Sequence, residues 1–83
     1  MKYLNNLKWL TRLDQFTPEE QKVLLALSHA KYKWRTRERL LDVTGLPPDT
    51  LDDTLSGLIS KEIVRPSFSK NKHVIFGLRE RVG

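Results

Sequence analysis

The chain has 83 residues, 39% of them hydrophobic and 30% charged, a formal net charge of +5 and no cysteine. That length supports one small domain, which removes only about 60–65% of its unfolded surface from water. With no Cys and only His29 and His73, disulfides and four-ligand Cys/His zinc sites are excluded as staples, leaving a partner subunit as the extra support. No apolar run approaches the roughly 18–20 residues of a spanning helix, so a soluble, intracellular protein, cytoplasmic in location, is expected.

Charge falls in blocks. Residues 31–39 set Lys31, Lys33, Arg35, Arg37 and Arg39 against Glu38 alone. Residues 42–62 reverse this, with Asp42, Asp49, Asp52, Asp53 and Glu62 against Lys61, and residues 65–81 return to Arg65, Lys70, Lys72, Arg79 and Arg81 against Glu80. Such basic blocks signal a polyanionic partner or plain solubility, and charge alone does not separate the two.

From residue 3 to 16, Leu4, Leu7, Leu10 and Leu13 recur every three positions, with Tyr3, Trp9 and Phe16 beside them. The spacing predicts an amphipathic N-terminal helix (residues 1–16) ahead of a domain at 17–83. Thr17-Pro18-Glu19-Glu20 predicts the next helix start: a Thr cap, Pro at the first helical position and Glu completing a capping box. Val23, Leu24, Leu27 and Ala30 then share a face, placing the helix end near Ala30.

Lys31 to Arg35 reads as a very short strand; of two readings for Tyr32 and Trp34, stacking on a base or packing against the hairpin, the thin core favours packing. Thr36 caps a helix over 37–44, with Leu40, Leu41 and Val43 inward and Gly45 in the left-handed position that closes it. Leu46-Pro47-Pro48 forces a turn, and a third helix runs from about 48 to 61 on Leu51, Leu55, Leu58 and Ile59. Gly57, in mid-helix, points to close approach by another backbone or to drift. Ile63 to Phe68 and His73 to Leu78, around Ser69-Lys70-Asn71-Lys72, predict a hairpin, with Pro66 marking its first strand as an edge or as ending there. The tail from Arg79 has too few apolar residues to assign.

Helix, short strand, helix, turn, helix, hairpin is an order that resembles a winged helix-turn-helix domain over residues 17–78. Thr36, Leu40-Leu41, Thr44-Gly45-Leu46, Thr50-Leu51, Leu55, Leu58 and the exit Lys61-Glu62-Ile63-Val64 carry the likeness, in the manner of MarR-like regulators. The resemblance implies an α+β, mainly α fold of three core helices plus a β-hairpin wing, here with an added N-terminal helix. It also implies duplex DNA binding and transcription regulation, with the second motif helix in the major groove and the wing on the backbone. In such proteins helices outside the winged core build a homodimer, a role for which Leu4, Leu7, Leu10 and Leu13 are the candidates.

One departure stands out. With the leucines inward, the outer face of helix 48–61 presents Asp49, Asp53, Ser56, Gly57 and Ser60, with Asp52 on its flank. Carboxylates repel phosphates where Arg, Lys, Asn or Gln would normally read bases, although acids in a first helical turn also complement its dipole. The expected nucleic-acid contacts are therefore Arg35, Arg37 and Arg39 with the wing residues Lys70, Asn71, Lys72 and His73, acting on phosphates. The alternative is a protein-interaction module whose partner meets Asp49, Asp53, Ser56 and Ser60. No Gly-rich phosphate loop, nucleophile elbow, thiol or His cluster is present, so neither an enzyme, a cofactor nor a metal is expected. A membrane-surface role for the N-terminal stripe is disfavoured because Lys2, Lys8 and Arg12 are few bases for an anchor.

Overall fold

The computed structural model describes residues 8–82. It shows an α+β chain, mainly helical, in the order of a 3-10 segment (Lys8–Gln15), α1 (Pro18–Leu27), β1 (Arg35–Thr36), α2 (Arg37–Thr44), α3 (Pro48–Ser60), β2 (Val64–Phe68), β3 (Val74–Leu78) and α4 (Arg79–Val82). The three strands form an antiparallel sheet in the order β1-β3-β2. Val23, Leu24 and Leu27 of α1, Leu40 of α2, Leu51, Leu55 and Leu58 of α3, and Val64, Phe76 and Leu78 of the hairpin make one core between helices and sheet. No described helix is long and apolar enough to cross a membrane.

Most boundaries follow local chemistry. Thr17 and Glu20 form the expected capping box: the Glu20 N–H donates to Thr17 Oγ1 at 3.1 Å and the Thr17 N–H to Glu20 Oε1 at 2.9 Å. Thr36 Oγ1 accepts from the Arg39 N–H, and Gly45 closes α2 at φ 68°. Helix α3 ends in a Schellman arrangement: the Ile63 N–H donates to Leu58 O, the Glu62 N–H to Ile59 O, and Glu62 itself takes φ 61°. Pro66 lies on β2, an edge strand, where its missing donor breaks no interior ladder.

Four expectations about these elements need correction. The N-terminal segment is a 3-10 helix broken at Arg12 (φ −125°, ψ 28°), not an α-helix. A recurrence of three is the 3-10 period itself, whereas an α-helical stripe mixes threes and fours. Of its proposed dimer residues, Leu4, Leu7 and the Leu10 side chain lie outside the described residues, and Leu13 is 37% exposed. Helix α1 stops at Leu27, leaving Ala30 exposed, and the strand expected at 31–35 is reduced to Arg35–Thr36. The cause is a turn, with the Tyr32 N–H donating to His29 O, whose carbonyls are claimed by Arg81.

Val43 is 47% exposed and Thr44 is buried in its stead. At about 100° per residue, Leu40, Leu41 and Thr44 share a face and Val43 falls outside it. The Thr44 hydroxyl donates to Leu40 O at 2.6 Å and accepts from the Leu46 N–H, so burial leaves it satisfied. At Gly57 a Cβ would meet open space, which removes the close-backbone reading and leaves drift, the other reading of this glycine.

Two predictions follow from these caps and glycines. Gly57→Ala should stabilise by about 0.5–1 kcal/mol, whereas Gly45→Ala, forced into the left-handed region, should cost about 1 kcal/mol, both measured by urea unfolding. Equal effects of the two would contradict the assigned backbone. The second concerns the buried Glu20, whose Oε2 accepts from Lys61 Nζ at 2.9 Å and so joins the start of α1 to the residue after α3. Burial pushes the Glu20 pKa up, but the Thr17 N–H and Lys61 outweigh it, and the net shift is below the usual 4.5. A depressed carboxylate stabilises the fold above its unfolded pKa, and that contribution disappears as pH falls through the folded value. Melting temperature should therefore drop as pH falls below about 4.5, and Glu20→Gln should flatten that drop.

Candidate nucleic-acid interface

Register decides which basic residues meet. Arg35 pairs with Phe76 and Thr36 with Ile75, while across β3 Ser67 pairs with Ile75 and Phe68 with Val74. The start of α2 and the tip of the β2–β3 hairpin thus stand at the same end of the sheet, on strands about 10 Å apart. The tip is a defined turn. The Ser69 N–H donates to His73 O, the Lys72 N–H to Ser69 O and the His73 N–H to Ser69 Oγ, with Lys72 at φ 63°. Lys70, Asn71, Lys72 and His73 are all exposed. Beside them Phe68 is 73% exposed, an apolar group at the mouth of a basic turn.

The three arginines of the first basic block have different roles. Arg35 Nε donates to Ala26 O at 3.0 Å and its guanidinium lies 4.8 Å from the Tyr32 ring centroid, so it ties β1 to the end of α1. Arg37 makes a two-pronged pair with Asp52 of α3, Nε to Oδ1 at 2.8 Å and Nη2 to Oδ2 at 3.0 Å. The hydrogen bonds raise the pKa of Arg37 and lower that of Asp52, holding both charged. One of the three α3 carboxylates is therefore answered within the fold. Arg39 is exposed and forms no ion pair among the described residues. On α3, Asp49, Asp53, Ser56 and Ser60 are exposed, as the leucine stripe requires.

The structure also joins residues that were not read together as a site. Tyr32, Trp34, Arg35, Thr36 and Arg39 line an open cleft of about 410 Å³ at the edge of β1 and the first turn of α2. Trp34 packs against the hairpin as expected: a Cβ at position 77 would lie 3.1 Å from Trp34 Cε3 and 2.8 Å from the Lys33 carbonyl oxygen, so only glycine fits there. Tyr32 does not share that packing. Carried on a turn rather than a strand, it is 44% exposed, with the His29 ring 5.3 Å away.

Arg81 of α4 fixes this connection. Its Nη1 donates to the carbonyls of Leu27 (2.9 Å), His29 (2.8 Å) and Tyr32 (3.0 Å), and Nη2 reaches Ala30 O at 3.4 Å. It satisfies carbonyls at and beyond the end of α1, where a cation also suits the helix dipole. Burial lowers its pKa from the ordinary arginine value, yet an arginine stays charged. No signal near residue 81 announces this role, because its acceptors lie 49 to 54 positions away.

No family model, curated protein or solved structure matches the chain. The Arg81 clamp yields a direct test. Arg81→Ala should cost about 2–3 kcal/mol in urea unfolding, and Arg81→Lys should recover only part of it, because an ammonium lacks the planar fork that spans several carbonyls. Full recovery by lysine would reduce the clamp to a simple charge.

Proposed function

We propose that this chain is a winged helix-turn-helix module that binds duplex DNA through phosphate contacts, with a transcription-regulator role. The observation that carries the reading is the shared sheet end: the exposed turn Lys70-Asn71-Lys72-His73 and the first turn of α2 with Arg39 face solvent together. The element order and the β1-β3-β2 sheet support the winged layout, with α2 and α3 as the motif helices. In this assignment Arg37 is partly spent on Asp52, Arg35 acts by positioning, and sequence preference is weak or shape-based because α3 offers the duplex no basic group. The exposed Asp49, Asp53, Ser56 and Ser60 favour a second reading, a basic protein partner docked on α3.

A salt titration of a fluorescent duplex tests both. Log affinity should fall against log salt with a slope of about −0.9 per neutralised phosphate. Lys70→Glu with Lys72→Glu should weaken binding about tenfold at low salt, and Asp53→Asn should change it less. Absence of duplex binding at low salt removes the DNA reading and leaves the α3 face as the candidate surface.

A further inference from the structure

The cleft beside β1 has a composition that phosphate contact alone does not require. Its volume, about 410 Å³, lies within the range of small-ligand sites. Two aromatic residues, two arginines and a threonine line it, and no acidic residue does. Its walls are held from the far end of the chain, Trp34 against Gly77 and the Tyr32 carbonyl by Arg81. Arg35, anchored to Ala26 O, holds its guanidinium over the Tyr32 ring, 4.8 Å from its centroid, so cation and ring stack at the cleft. Arg39 stands at the cleft without an ion pair among the described residues, and the Thr36 hydroxyl, which accepts from the Arg39 N–H, retains its own proton to donate.

We propose that this cleft binds one nucleoside phosphate unit, its base against Tyr32 and Trp34 and its phosphate on Arg39 and the Thr36 hydroxyl. Flat π-surfaces accept any base, and a guanidinium matches phosphate in a fork geometry. The unit can arrive as a free nucleotide or as an unpaired nucleotide of a single strand. The site goes beyond duplex binding: it shares Arg39 with that surface but uses Tyr32 and Trp34, which the wing turn does not.

The test follows Trp34 emission in a Trp9→Phe chain titrated with AMP, with a short oligothymidylate and with a blunt duplex, alongside calorimetry of the unaltered chain. Saturable quenching by AMP alone identifies a free-nucleotide site, and stronger quenching by the oligothymidylate identifies a single-strand site. In either case Tyr32→Ala and Arg39→Gln should each weaken binding about tenfold, Tyr32→Phe should preserve it, and Lys70→Glu should leave AMP binding unchanged. Blunt-duplex binding lost in the Lys70→Glu, Lys72→Glu chain while AMP binding persists would show that the cleft works without the wing lysines, as the proposal requires. Neither quenching nor heat with AMP and the oligothymidylate, or affinities indifferent to Tyr32→Ala and Arg39→Gln, would overturn the proposal.

Discussion

A single guanidinium, that of Arg81, organises the connection between the first helix and the sheet. Residues 28–34 contain no regular helix and, beyond an isolated bridge at His29, no strand, so most of their carbonyls need partners from elsewhere. Arg81 supplies donors to Leu27, His29 and Tyr32, and the bare Cα of Gly77 lets the Lys33 carbonyl and the Trp34 ring approach β3. Everything that gathers at this edge, the Tyr32–Arg35 contact, the short strand β1 and the cap of α2, depends on that segment holding one path. A thin core of this size gains most from such groups, because each satisfies polar backbone that burial would otherwise penalise.

Charge pairing then arranges the helices around the core. Glu20 and Lys61 link the beginning of α1 with the residue after α3, and Lys61 also lies 5.8 Å from the Phe16 ring centroid. Arg37 and Asp52 link the beginning of α2 with α3. The second pair is solvated and screened, so its value lies more in fixing geometry and local charge than in stability. It leaves the acidic face of α3 to Asp49 and Asp53, while Arg39 and the wing lysines remain outward-facing cations. The surface is consequently of two signs, divided by a bidentate pair rather than blended.

How much of this was legible depends on the distance between cause and effect along the chain. Thr17 with Glu20, Thr36 with Arg39, and Gly45 with Leu41 act within four residues, and these caps were readable. The inward leucines of α3 and the exposure of Lys70, Asn71, Lys72 and His73 were readable for the same reason. The end of α1, the shortness of β1 and the exposure of Tyr32 were not, since they answer to Arg81. The Arg37–Asp52 pair spans 15 positions and the β1–β3 register about 40, so neither the partial neutralisation of α3 nor the cleft could be inferred from neighbouring residues. Val43 was misplaced by a local cause, since in an eight-residue helix one buried Thr shifts the whole inward face.

The position of Arg81 has a bearing on how the chain acquires its shape during synthesis. When residues up to about 62 have left the ribosome, all three long helices can form, yet the carbonyls after Leu27 still face water, because the hairpin and its last turn have not emerged. Closure therefore waits on the emergence of Arg81, and until then a nascent chain would expose the same edge to chaperones or to pairing with a neighbour's strand.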